Sequence, residues 1–180
     1  MKFYLETERL ILREIKKSDI EGMFTLDSNP EVHKYLGNKP ISTKKQAENM
    51  IDFIQEQYQQ LGIGRFACIE KATGDFIGWS GMKFNTGEKE KLNGYTDFID
   101  IGYRFIPKYW QKGYGFESAT ACLEFGFNTM KYPKICAAAL VDNIGSNKIL
   151  QKIGLQFINE FAYQDVKANW YELEKSAYGN

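Results

Sequence analysis

Between Asp97 and Val141 the spacing of apolar residues changes twice. DFIDIGYRF (97–105) alternates, with Ile99, Ile101, Tyr103 and Phe105 on one face and Asp100, Gly102 and Arg104 on the other. From about Gly115 to Met130 the stripe Phe116, Ala119, Leu123, Phe127 and Met130 recurs at three- and four-residue steps. KICAAALV (134–141) is then a nearly unbroken apolar run, which suits a strand covered on both faces. Strand, helix and strand in this order exclude an all-helical or all-β chain and predict a sheet with a helix packed across it.

The flanking segments fit the same plan. LILREI (10–15) reads as a strand, and residues 19–27 as a short helix stopped near Asn29-Pro30. Thr43 and Gln46 form a capping box for a longer helix carrying Ala47, Met50, Ile51, Ile54, Tyr58 and Leu61, ended by Gly62 and Gly64. RFACIE (65–70) and FIGWSGMKF (76–84) are strands joined by the turn at 72–75, and residues 85–95 form a polar loop. Residues 143–153 form a short helix with Gly154 at its C-terminal cap; LQFINEFAY and NWYELEK are a last pair of strands. Strands first pair locally and then alternate with helices. The expected fold class is α/β, a mixed sheet in one domain spanning residues 1–180.

Composition narrows the chemistry. The chain has 180 residues, 43% of them hydrophobic, enough for one sizeable core. Its 23 basic residues balance 23 acidic ones, so neither nucleic acid nor an anionic membrane is the expected partner. No apolar run approaches the roughly 18 residues of a membrane span, and MKFYLETERL is not a signal peptide. Cys68, Cys122 and Cys136 lie far apart in apolar segments, which points to buried thiols and a cytoplasmic protein. The single histidine, His33, leaves little material for a zinc site or a histidine-activated nucleophile, and no metal is expected.

The most informative stretch is YWQKGYGFES (109–118). Gly113 and Gly115 stand where a helix begins after a strand. The first amides of a helix have no intrahelical partner, and the helix dipole makes that end positive. A phosphate fits there, glycines keep side chains out of its way, and Lys112 adds charge. The same glycines also suit a tight turn with no ligand. VDNIGSNKILQKIGL (141–155) supplies a second helix start after a strand, with Asn143 and Ser146 in its first turn. There Asn143 also reads as an N-cap. Two helix starts at the ends of neighbouring strands make a cleft for a long phosphate-bearing ligand.

DIGYRF, YWQKGYGFES and NIGSNKILQKIGL, in this order, resemble the acetyl-CoA-binding core of the GNAT acetyltransferase superfamily. ETERLILREI with its following helix, and FIGWSG, are similar to the branch of ribosomal-protein N-terminal acetyltransferases. The resemblance runs from about Thr7 to Tyr171. It implies a largely antiparallel sheet with splayed central strands flanked by helices. It implies that amides around Gln111, Lys112, Gly113, Tyr114, Gly115 and Phe116 hold the coenzyme A pyrophosphate. It further implies that the strand of Ile101, Tyr103 and Phe105 pairs with the pantetheine arm, that Asn143 bonds that arm, and that Ser146 lies near the thioester sulfur. The family often has Gln or Arg three residues before the first glycine; Trp110 stands there instead.

For the chemistry, the resemblance implies direct transfer of acetyl to an amine, with a backbone N–H on the DIGYRF strand meeting the carbonyl oxygen. Asp100, where many members carry Glu, is the candidate base; its alternative reading is a solvated strand-edge acid. Many members carry a Tyr acid where this chain has Leu150, which leaves Ser146 or water to protonate the thiolate; helix capping is the alternative for Ser146. An α-amine, with a pKa of about 7.7–8.0, needs roughly 1 kcal/mol to deprotonate at neutral pH, against about 4–5 kcal/mol for a lysine at about 10.4. A site with one weak base therefore favours a protein N-terminal α-amine. A polyamine or aminoglycoside acceptor, or a non-catalytic acyl-CoA-binding module, are the alternatives. Tyr35, Trp79 and Trp170 are candidate acceptor-pocket residues or core; His33 reads as a surface histidine and KEKL (89–92) as a solvated loop. A monomer or homodimer is expected.

Overall fold

The two strands of the 97–141 segment meet at one point and then part. In the computed structural model, which describes residues 3–179, β5 (Phe98–Phe105) and β6 (Lys134–Leu140) run parallel and pair at Asp100 opposite Cys136. Ala138, midway along β6, is exposed between the buried Ala137 and Ala139, because successive residues of a strand point to opposite faces and its face opens to a cleft. All other neighbours pair antiparallel in an eight-stranded sheet of order β1-β2-β3-β4-β5-β6-β8-β7. Its remaining strands are β1 (Tyr4–Glu6), β2 (Leu10–Glu14), β3 (Arg65–Glu70), β4 (Phe76–Asn85), β7 (Gln156–Tyr163) and β8 (Val166–Glu174).

Helices cover both faces. α4 (Tyr114–Glu124) packs on β4 and β5, where Ala119, Cys122 and Leu123 join the main core with Leu10, Leu12, Phe66 and Ile101. α1 (Ile20–Asp27) and α3 (Lys44–Leu61) build a second core on Met23, Ala47, Ile51 and Ala67. The Thr43–Gln46 capping box forms at the start of α3. A third cluster places the fully buried Trp170 against Phe98 and Cys136, at the joint between β5 and β6.

Several elements differ from the sequence reading. β1 was not expected; three residues give too little pattern. The second long helix ends at Glu124 and widens into a π turn over Phe125–Thr129, with Gly126 set tightly against Met82 and Ile135. A short α2 (Pro30–His33) is capped by Asn29, whose Oδ1 accepts from the Glu31 N–H at 2.9 Å. It buries His33 beside Asp27 instead of leaving it on the surface.

α5 (Ile144–Lys152) is held by a residue that sequence alone did not single out. Asn147 is buried; its Nδ2 donates to the carbonyls of Leu140 at 2.9 Å and Asn143 at 2.8 Å. Its Oδ1 accepts from Asn169 at 2.9 Å and from the Tyr171 hydroxyl at 2.7 Å. The side chain thus ties α5 to β6 and β8. Asn147→Ala takes the acceptor from the buried Tyr171 hydroxyl and from Asn169, a loss worth about 1–3 kcal/mol for each group left unpaired, and removes one of the bonds at the Leu140 and Asn143 carbonyls. Urea unfolding is expected to show a loss of about 3 kcal/mol with an unchanged denaturant slope; a loss below about 1 kcal/mol would refute the tie.

Candidate active site

The glycine turn is fixed from several directions. The Trp110 indole N–H donates to the Phe105 carbonyl at 2.6 Å, which ends the open edge of β5. This gives the unexpected tryptophan a physical role. Gln111 and Gly113 both have left-handed backbones, with φ of 59° and 85°. Gly113 is the N-cap of α4 and gives it no side-chain cap, so the amides of the first turn stay available. Behind the turn, Arg9 donates from Nη1 to the Lys112 carbonyl at 2.9 Å and from Nε to Glu117 at 2.7 Å. Glu117 also accepts from the Thr7 hydroxyl at 2.6 Å and the Arg9 N–H at 2.8 Å. Burial pushes the Glu117 carboxyl up, but these bonds outweigh it and hold the group below the usual range. Sequence reasoning missed this clamp, since its partners lie more than a hundred residues apart.

Gly115 has a packing role. A Cβ there would lie 3.0 Å from Ile149 Cδ1 and 3.8 Å from the Tyr103 ring, so the glycine lets α4 approach α5 and β5. Tyr114 points inward, with its hydroxyl donating to Glu70, while Phe116 is half-buried under the Lys152 ammonium at 4.2 Å.

At the start of α5, Asn143 Oδ1 accepts from the Ser146 N–H at 3.1 Å, so the capping reading holds for that oxygen. Ser146 Oγ lies 3.1 Å from the Tyr103 hydroxyl, which also donates to the Ser146 carbonyl at 3.2 Å. Burial pushes the Tyr103 phenol up, partly offset by the Ser146 bond, so it is a proton-bearing donor at neutral pH. This pair was not foreseen. Alternation placed Tyr103 on one face of β5 with Ile99, Ile101 and Phe105, but its reach to residue 146 is a tertiary fact. Leu150 is buried in the main core.

A cleft of about 1350 Å³ runs through the gap between β5 and β6. Gly113, Gly115, Asn143 and Ser146 line it towards the helix starts, and Lys148 and Lys152 add positive charge. These features fit a long anionic ligand. Ile101, Tyr103, Phe105, Gln111, Tyr114 and Phe116 also line it; Lys112 stands exposed beside the turn with its ammonium over the Tyr109 ring. At the other end lie Tyr35, Trp79, Asp100 and Arg104, with Lys89, Glu90 and Lys91 of the 85–95 loop. Asp100 is already engaged: Arg65 Nη2 donates to Oδ2 at 2.9 Å and Asn85 to Oδ1 at 3.0 Å. Trp79 lies between the Arg65 and Arg104 guanidiniums, at 5.2 Å and 5.0 Å. Among the described residues no group of three or more His, Cys, Asp or Glu is placed to hold a metal, and no helix is long and apolar enough to cross a membrane.

Comparison with known proteins agrees with this geometry. Residues 9–156 match the acetyltransferase (GNAT) domain family, and the chain belongs to that family. It is an acetyl-CoA-dependent N-acetyltransferase of single-domain α/β GNAT fold. It is 31% identical to the uncharacterized N-acetyltransferase YoaA of Bacillus subtilis over 164 residues, 89% of each chain. The fold is shared with ribosomal-protein-S5-alanine acetyltransferase from Vibrio fischeri, at TM-score 0.78 and 16% identity over 99% of this chain and 100% of that one. It is shared equally with spermidine N-acetyltransferase from Vibrio cholerae, at TM-score 0.76 and 15% identity over 97% and 100%.

The packing role of Gly115 shapes its test. Gly115→Val alone meets Ile149, so it is paired with Ile149→Ala to make room. The double variant is expected to unfold within a few degrees of Ile149→Ala alone, yet to bind coenzyme A at least tenfold more weakly in calorimetry. Unchanged affinity in the folded double variant would remove the glycine turn from the site.

Proposed function

We propose that the chain acetylates the α-amino group of a protein N-terminus, in the manner of the ribosomal-protein branch. The observation that carries this is the state of Asp100. Arg65 holds its Oδ2 and Asn85 its Oδ1, so the carboxylate is tied into the protein's own network instead of standing free to meet the amine. An α-amine is about a tenth or more deprotonated at neutral pH without a strong base, whereas a lysine ammonium is deprotonated to well under one part in a hundred. The S5-alanine acetyltransferase neighbour supports the reading; the spermidine neighbour shares the fold equally well, so the acceptor rests on the site.

Acetyl-CoA supplies an acyl group on a good leaving thiolate. The amides of Tyr114, Gly115 and Phe116 hold its pyrophosphate at the uncapped start of α4. The unpaired edge of Ile101, Tyr103 and Phe105 aligns the pantetheine arm, and Asn143 adds a hydrogen bond from its amide nitrogen. A backbone N–H on β5 receives the carbonyl oxygen as it gains charge. The amine nitrogen bonds to the acyl carbon, the carbon–sulfur bond breaks, and the amine proton leaves to water or Asp100. Ser146 donates to the departing sulfur, its own proton left free because Tyr103 can donate to Ser146.

Transfer is direct. None of the three cysteines lines the cleft. Burial pushes the Cys122 and Cys136 thiols up to about 12, and Cys68 well above its ordinary value. A thiol that stays protonated is no nucleophile.

The reading is tested by incubating the protein with acetyl-CoA and a panel of peptides and small amines, followed by mass spectrometry. Acetylated peptide α-amines are expected; modification confined to spermidine or lysine side chains would overturn it. Ser146→Ala is expected to lower kcat by about tenfold to a hundredfold, the value of a lost bond of about 1.5–3 kcal/mol to a charged group. The KM for acetyl-CoA should move little. Undiminished turnover would assign the proton to solvent.

A further inference from the structure

The cleft continues beyond Trp79 into a hollow of about 350 Å³ between α3 and the sheet. The helix contributes the apolar side chains of Met50, Phe53 and Ile54 and the neutral amides of Asn49 and Gln57 to this hollow; the sheet contributes Arg65, Trp79, Lys83 and Arg104, which also line the main cleft. No carboxylate lines it. Phe53 stands at it with 53% of its surface exposed, a large apolar group left uncovered beside three cations.

The acids paired with those cations have little left to offer a ligand. Asp27 is fully buried behind Arg104. Asp100 has both oxygens engaged. Glu90 meets Lys83 with one oxygen and the Thr86 N–H with the other. The donors are not exhausted. Among the described residues Arg104 donates only to Asp27, and a guanidinium carries five N–H groups. Its side chain is 18% exposed, against 0% for Asp27. A polycationic ligand entering here finds no carboxylate in the lining, whereas a carboxylate finds free donors flanking an aromatic face.

We propose that this hollow is an acceptor subsite for amines that carry a carboxylate beside an apolar group. The apolar group enters between Met50, Phe53, Ile54 and Trp79. The carboxylate bonds Arg104 and Arg65, with Lys83 as a further charge. The proposal rests on the acetyl-transfer reading and narrows its acceptor to an anionic amine. A peptide N-terminus with apolar and acidic residues in its first positions has this chemistry, and so does a free apolar amino acid.

The test compares matched acceptors with the wild-type protein. One arm uses peptides identical except for Glu, Gln or Lys after an apolar residue; the second uses leucine, methionine and phenylalanine against their amides; spermidine is the third. Removing the carboxylate is expected to lower kcat/KM at least tenfold, mostly through KM, and whichever of the first two arms shows this names the source. Lys83→Gln should shrink the discrimination. Arg104→Gln leaves Asp27 buried and unpaired, so the paired variant Asp27→Asn/Arg104→Gln is used, and should abolish most of it. Equal rates for acids and amides, or a preference for Lys peptides or spermidine, would overturn the subsite with transfer intact. If no amine is acetylated while calorimetry still shows selective binding of the anionic peptides, the subsite stands and the transfer reading falls. Absence of both defeats both.

Discussion

The parting of β5 and β6 is the constraint on which the site depends. Had the two strands stayed paired beyond Asp100 and Cys136, the sheet would be closed and the helix starts would face a wall. Because they diverge, one edge of Ile101 to Phe105 keeps backbone donors and acceptors without a strand partner, which a buried edge does not tolerate unless something else bonds them. An extended amide-bearing chain can bond them as a strand would. The joint is held shut at its other end by Trp170, packed on Phe98 at a ring separation of 5.1 Å. The split thus has a fixed origin, and its opening is set by packing.

The helix starts supply what the open edge cannot. At α4 the amides are left uncapped and the turn is pinned from behind by Arg9 and Glu117, so free donors are available without a floppy loop. At α5 the cap is filled by Asn143, and the helix is locked through Asn147 to β6 and β8. One helix start thus keeps its first amides uncapped, and the other holds Ser146 beside Tyr103. The same sheet face that carries Asp100 carries Arg65, Trp79 and Arg104, so the acid named as a candidate base is tied into a charge network through Arg65.

Much of the fold was legible because it rests on local pattern. The alternation of residues 97–105, the stripe of residues 116–130 and the Thr43–Gln46 box each need only near neighbours to be read. The α/β architecture and the glycine turn followed from them. What stayed hidden depends on distant pairs. Thr7 and Arg9 reach Glu117, Arg104 reaches Asp27, and Tyr103 reaches Ser146. Nothing in the spacing of these residues announces the meeting. His33 illustrates the same limit: a lone histidine after Pro30 looks exposed until the buried Asp27 is seen beside it.

Hydrogen exchange with and without coenzyme A tests the central claim most directly, because it reads the backbone amides themselves. The account predicts new protection at the amides of Ile101 to Phe105 on the open edge of β5 and at Tyr114 to Phe116 at the start of α4, with β1 to β3 unchanged. Protection that appears elsewhere, leaving the edge of β5 exchanging as fast as before, would contradict it.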